Sequence, residues 1–234
     1  MKISLNWIKQ YLAELNSIPF AELHEKMIRS GMDIESIEFE SDKFKNIIVA
    51  EVISKEKHPD ADKLSLCKVN TGSETLSVVC GASNVEAGQK VVLAKIGAVI
   101  PNGGFEIKKS KIRGQVSEGM ICAEDELGLS EDHSGIMVLS PDAPAGIDFA
   151  DYSGHNDILI DIGVTPNRGD MLSHFGMARE FAAILNTKIK IPKLEIHPAD
   201  EQTSDYIKIS TENPEYCKRF TGRVVKDVAI KESP

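Results

Sequence analysis

The apolar positions along the chain fall into distinct textures. Up to about residue 40 they recur at helical spacing. Leu5, Ile8, Leu12 and Leu15 lie in phase, with Trp7 and Tyr11 beside them, and predict an amphipathic helix. Pro19 opens a second helix whose stripe is Phe20, Leu23, Met27 and Ile28, and Gly31 stands where a C-terminal cap belongs. Asp33-Ile-Glu-Ser-Ile-Glu-Phe39 then reads as a strand, although its alternation is imperfect.

From about residue 44 short strands follow one another. They are predicted over 46–55, 63–70, 75–80, 90–95, 105–112 and 119–124. Thr71-Gly72-Ser73 is a hairpin turn, and Gly81-Ala-Ser-Asn84 and Pro101-Asn-Gly-Gly104 are loops built on chain breakers. So many short strands in so few residues predict a small closed barrel or sandwich. A helical turn over 83–88 is compatible with the order of the oligonucleotide-binding (OB) barrel, but pattern alone does not choose it over other small barrels.

Residues 130–155 are rich in Gly, Pro, Asp and Ser and read as an irregular connector. A strand over 157–164 follows, then a turn at Thr165-Pro-Asn-Arg-Gly-Asp170, then a helix over about 171–186. Leu172, Phe175, Ala178, Arg179, Ala182 and Leu185 are in phase or nearly so, and Asn186 can end it. Residues 192–204 are polar and linker-like. Segments 207–210 and 219–225 read as two more strands. One helix and so few strands make a poor domain, so this region is expected to be the truncated start of something longer. The expected architecture is therefore α+β and multidomain: a helical N-terminal segment (1–40), a barrel (41–150) and the start of an α+β domain (151–234).

A chain of 234 residues fits this count. Its 41% hydrophobic and 27% charged residues are ordinary for a soluble globular protein. The formal net charge of −9 is not that of a free-standing DNA or RNA binder, so a nucleic-acid role must rest on a local patch. No apolar run approaches the roughly 18 residues of a membrane helix, and Asn6, Lys9 and Gln10 interrupt any signal-peptide core. The four cysteines (Cys67, Cys80, Cys122, Cys217) lie far apart without CxxC spacing, and most sit in apolar or alternating strands. Reduced core thiols and a cytoplasmic location are expected.

Two stretches carry candidate chemistry. In His58-Pro-Asp-Ala-Asp-Lys63 the histidine and two aspartates could be metal ligands. The glycine and distant glutamate of a calcium loop are missing, and no partner ligands for zinc stand at defined spacing. A turn fixed by Pro59 and capped by Asp60 or Asp62 accounts for it more simply. Ser83, Ser117 and Ser134 lack the nucleophile-elbow pattern, and no Walker-type phosphate loop is present. No catalytic or metal residue is expected. The second stretch is Ile107-Lys-Lys-Ser-Lys-Ile-Arg113. Lys108, Lys109, Lys111 and Arg113 fall within six residues, with no acidic residue between Glu106 and Glu118. They read either as an edge strand guarded by lysines or as a phosphate track. On a strand, Lys109, Lys111 and Arg113 share one face and Lys108, Ser110 and Ile112 the other. Phe105 alone is aromatic near the patch, so backbone contact is favoured over base stacking.

The runs HPDADKLSLCKVNTG, VVCGASNV, GQKVVLAKIGAVIP and KIRGQVSEGMICAEDELGL, spanning about 58–129, resemble the tRNA-binding OB domain of several tRNA-associated proteins. The flanks MKISLNWIKQYL and TPNRGDMLSHFGMAREFAAI resemble the beta subunit of bacterial phenylalanyl-tRNA synthetase, in which Cys commonly stands at the place of Met171. The resemblance implies that the 57–63 loop and the basic strand face nucleic acid. The candidate tRNA contacts are then Lys63, Lys108, Lys109, Lys111 and Arg113. It also implies a subunit several times longer, in an assembly of two alpha and two beta subunits that charges tRNA with phenylalanine using ATP and magnesium. The aminoacylation site would lie on alpha, and the editing residues would fall beyond Pro234. No cofactor, DNA or membrane contact is expected of this stretch itself. The alternative is a stand-alone or appended tRNA-binding module without ligase activity.

Overall fold

The computed structural model describes residues 1–193, 195 and 197–231. The chain divides into two units, Met1–Ile191 and Pro192–Pro234. The elements in order are β1 (Lys2–Ser4), α1 (Leu5–Lys9), α2 (Phe20–Arg29), β2 (Asp33–Phe39), β3 (Ile47–Lys57), β4 (Ser65–Asn70), β5 (Thr75–Cys80), β6 (Lys90–Lys95), β7 (Ser110–Ile112), β8 (Gln115–Ser117), β9 (Gly119–Ile121), β10 (Val138–Leu139), α3 (Phe149–Ser153), β11 (Ile158–Gly163) and α4 (His174–Ile184). Class and architecture are α+β, with a nearly closed antiparallel OB-like barrel beside other sheets.

The barrel is built on the order β10-β6-β3-β4-β5, with β9 also paired to β6. All its pairs are antiparallel: Val49 faces Val92 across β3 and β6, and Cys67 faces Val78 across β4 and β5. Glu118, just before β9, donates its N–H to the Ser77 carbonyl of β5 at 2.8 Å, which brings the circle close to closure. The register of β3 on β4 slips between Val52 and Ser54, so the long strand bends there and serves both neighbours.

The apolar runs Ile47-Ile-Val-Ala50 and Val91-Val-Leu-Ala94 do not alternate with polar residues because β3 and β6 are buried on both faces. Ile48, Ala50, Val91 and Leu93 enter the barrel interior with Val69, Val78 and Val85. Ile47, Val49, Val92 and Ala94 face an outer layer with Ile100, Cys122, Leu127 and Phe149. Part of that layer, including Leu139, Ala143, Phe149 and Ala150, comes from the region read as an irregular connector, which holds β10 and α3. These elements are two and five residues long, too short for a period to show. Within the same unit, Thr71 and Gly72 of the β4–β5 turn press on Ala145 and Gly146. A Cβ on Gly146 would come within 2.7 Å of the Thr71 carbonyl oxygen.

A three-stranded sheet has the order β1-β11-β2, with Ile160 facing Ile3 on one side and Ile37 on the other. Its core joins Ile3, Leu5, Ile8, Leu12, Leu15, Leu23 and Met27 to Ile160, Ile162, Met177 and Phe181. The stretches expected as a leading segment (1–40) and a trailing domain (from 151) thus share one sheet and one core, with the barrel inserted between them. Two of the helices, α1 and α4, begin at polar caps: Ser4 accepts the Trp7 N–H, and Ser173 accepts the Gly176 N–H. Asn186, at φ 52°, follows α4 as its stop. The buried face of α4 is Met177, Ala178, Phe181 and Ala182, while Leu172 lies outside the helix, 62% exposed. The expected stripe was therefore out of phase at its start, because the helix begins at His174.

Among the described residues of the second unit the only regular element is a 3-10 turn at Thr203–Asp205. The strands expected at 207–210 and 219–225 do not form. Ile207, Ile209, Phe220 and Val225 are exposed, and an alternating segment becomes a strand only when a neighbour takes up its backbone groups. Lys226 instead ties the unit locally, bonding Glu201 at 2.6 Å and the Tyr206 hydroxyl at 3.0 Å.

Candidate nucleic-acid interface

The lip of the barrel between β3 and β4 is a tight loop. His58 donates its backbone N–H to the Leu64 carbonyl at 3.0 Å, and Lys57 pairs with Asp62 at 2.7 Å. The His58 side chain is buried, 2% exposed. Its Nδ1 accepts the Asp60 N–H at 3.0 Å, so Nε2 carries the ring proton and donates to the Ile112 carbonyl oxygen at 3.2 Å. The histidine is thus a strut from the lip to the basic segment. His58, Asp60 and Asp62 do not converge, and among the described residues no group of three His, Cys, Asp or Glu could hold a metal ion.

The basic run is not one strand over 105–112. The Pro101–Gly104 turn folds residues 98–107 back on themselves, with Ile107 donating to the Ala98 carbonyl at 2.8 Å. Pairing resumes at Ser110 in a two-stranded hairpin, β7 on β8, with Ile112 opposite Gln115. The two turn residues, Arg113 (φ 49°) and Gly114 (φ 85°), both take positive φ, as a two-residue hairpin turn matched to strand twist requires. Arg113 therefore sits at the tip, and the single face expected for Lys109, Lys111 and Arg113 is broken there.

The five candidate cations are all exposed but differ in company. Lys109 bonds Glu118 at 2.8 Å, and this bond, followed by the Ser77 N–H, holds the Glu118 carboxyl below its ordinary range. Lys108 lies 3.4 Å from Glu106. Lys63, Lys111 and Arg113 make no ion pair among the described residues, so they are the cations with charge to offer an incoming anion. Lys68, absent from the candidates, belongs beside them: it is exposed on β4, and its Nζ donates to Ser77 Oγ at 2.8 Å. Its alternation with buried Cys67 and Val69 marks it as outward-facing, but only the fold brings it, across β5, near Gln115 and Val116 of the hairpin. The cysteines have no part in this face. Burial pushes the Cys67 thiol up to about 11 and the Cys122 thiol up to about 12, so both stay protonated.

OB-type barrels bind oligonucleotides or oligosaccharides on their strand faces and loops, and here a strutted lip and a cationic hairpin stand at that position. Residues 47–148 match the family described as "Putative tRNA binding domain". Over its whole length the chain is 44% identical to the phenylalanine–tRNA ligase beta subunit of Syntrophus aciditrophicus, and 40% identical to that of Bacillus subtilis. It covers 29% and 30% of those two proteins. The chain is therefore a relative of part of that subunit. The C-terminal domain of Plasmodium vivax p43 aligns with 32% of the chain and 44% of its own at 30% identity, with a TM-score of 0.26. No helix among the described residues is long and apolar enough to cross a membrane.

Proposed function

We propose that the chain is the N-terminal part of a phenylalanine–tRNA ligase beta subunit and that its barrel grips the sugar–phosphate backbone of tRNA. One observation carries the reading. Within the segment matching the tRNA-binding family, His58 fixes the lip carrying Lys63 to the hairpin carrying Lys111 and Arg113, and these three cations are unpaired among the described residues. Lys108 joins them after leaving Glu106. Lys109 contributes less, because Glu118 must be displaced or carried towards the RNA. In this reading residues 41–150 are the binding module, and the sheet made by residues 2–39 and 158–163 joins it to the rest of the subunit.

The whole ligase would be a cytoplasmic assembly of two alpha and two beta subunits, with ATP and magnesium used outside this stretch. A free-standing tRNA-binding module is the second reading. The core shared by Ile3, Ile8, Ile160 and Phe181 speaks for the first, since it lies outside the barrel and binding would not need it.

The test is binding of a phenylalanine tRNA transcript to the whole chain across a salt series. Backbone binding gives a linear fall of log affinity with log salt, and each phosphate contact adds about 0.7 to 0.9 to the slope. Affinity that ignores salt, or is absent at low salt, would end the reading.

A further inference from the structure

The basic hairpin also forms one wall of an open cleft of about 780 Å³. The other walls are the loop after β5, at residues 80–83, and the segment 133–136, with Met120 and Ile121 of β9 also lining it. The volume lies in the range, about 300–1,000 Å³, of clefts that hold small-molecule-sized groups. The basic run is divided between two tasks. Lys108, Ser110 and Ile112 line the cleft, while Lys109 and Lys111 do not.

Three features of the cleft are chemically pointed. Phe105 is 48% exposed beside it, and Gly103 stands so close that an added Cβ would come within 3.2 Å of the ring. Lys108 lines the cleft, and its ion pair among the described residues is with Glu106 at 3.4 Å. The exposed His133 is oriented by Asp125, whose Oδ2 lies 2.7 Å from Nδ1, leaving Nε2 free. The lining is mixed: apolar groups, one exposed ring, one cation, a steered imidazole and the carboxylates Glu106 and Glu126, the first paired with Lys108 and the second accepting the Ala123 N–H. Together they suit an aromatic heterocycle that carries a phosphate. Unpaired bases splayed from RNA are received on such surfaces by stacking and edge contacts.

We propose that this cleft receives one unpaired nucleotide of the bound tRNA, with its base against Phe105, its phosphate against Lys108 and a base or ribose edge at His133. The proposal rests on the tRNA-binding reading above and deepens it. The same chemistry could come from a free nucleotide, so the two sources are tested separately.

The experiment uses the whole chain, with Phe105→Ala, Phe105→Trp, Phe105→Leu and Lys111→Ala, after circular dichroism has confirmed folding. The probes are a phenylalanine tRNA transcript, a single-stranded RNA hexamer containing one 2-aminopurine, and AMP and GMP alone. Loss of one stacked base weakens binding about 5- to 100-fold. Phe105→Ala and Phe105→Leu are expected to weaken tRNA by that factor with the salt slope unchanged, because stacking releases no counterions. Phe105→Trp retains binding, and Lys111→Ala lowers the slope. The 2-aminopurine emission is quenched by the wild type and by Phe105→Trp, and not by Phe105→Ala. If the folded Phe105→Ala and Phe105→Leu variants bind tRNA like the wild type, the cleft proposal fails while the backbone grip stands. If the folded wild type binds no tRNA, both fail. If AMP or GMP binds through Phe105 and tRNA does not displace it, the site serves a free nucleotide and the proposal is overturned.

Discussion

The ring of His58 meets the carbonyl oxygen of Ile112 at 3.2 Å across 54 residues of sequence, and it is the described side-chain bond from the lip of the barrel to the basic hairpin. Ile112 ends β7, one residue before Arg113, so this bond holds the base of the turn that carries the outermost cation. Removing the ring leaves the part-buried Ile112 carbonyl and the Asp60 N–H without this partner. His58→Ala should cost about 1–3 kcal/mol in urea unfolding. It should also weaken tRNA binding without changing the salt slope, because no cation is lost. Wild-type stability in this variant would show that the strut carries no load.

The tip of the hairpin gives a sharper test of the phosphate track. At φ 49° Arg113 occupies a conformation that Asn tolerates and β-branched residues resist. Arg113→Asn should leave the melting temperature nearly unchanged and lower the salt slope of tRNA binding by about 0.7 to 0.9. Arg113→Val should lose the same slope and also destabilise the hairpin. Equal stability of the two variants would mean that the turn is not formed as described.

Two glycines separate the cost of backbone conformation from the cost of contact. A methyl added to Gly88 (φ 89°) would have nothing within 4 Å, whereas one added to Gly146 (φ 97°) would meet the Thr71 carbonyl at 2.7 Å. Gly88→Ala should cost about 1–2 kcal/mol, the strain of a left-handed alanine alone. Gly146→Ala should cost about 3 kcal/mol or more, because the β4–β5 turn must also retreat. Similar chemical-denaturation midpoints for the two variants would contradict the packing of that turn on residues 145–146.

What the sequence reveals depends on how far each signal reaches along the chain. Apolar runs locate β3 and β6 because both faces are buried, whereas the start of α4 is misplaced at about 171: the turn ending in Asp170 reads as its cap, and the side chain that caps it is Ser173. The pairing of Lys2–Ser4 with residues 159–161 leaves no trace, since a three-residue strand has no period and its partner lies over 150 residues away. The turn at Arg113 was hidden because arginine is not a turn residue. Gly114 was the available signal, and its meaning depends on the pairing of Ser110 with Ser117. The cleft beside Phe105 draws on segments near 80, 105, 120 and 135, so no single motif announces it. The unformed strands at 207–210 and 219–225 make the converse point, because alternation without a partner is only a pattern.

The pairing of β1 with β11 brings His174, at the start of α4, against the start of α1. Its Nε2 accepts the Ser4 N–H at 3.0 Å, and its ring stacks on Trp7 with centroids 4.1 Å apart. Nε2 can accept only while it is unprotonated. Burial lowers the pKa of His174 from its ordinary 6.5, and the Asp157 carboxylate opposes this only in part. The folded protein therefore binds fewer protons here than the unfolded chain, and this contribution to stability rises with pH. It is fully present above about 6.5 and is lost as the pH falls below 6.5 and through the lower folded value. His174→Gln keeps an acceptor for Ser4 and removes the titration. Thermal unfolding of both proteins from about pH 8 to about pH 5 isolates the effect, since the other five histidines are common to both. The melting temperature of the wild type should fall relative to the variant only on the acidic side of 6.5. Parallel curves through the whole range would mean that His174 does not hold the start of α1 by accepting that bond.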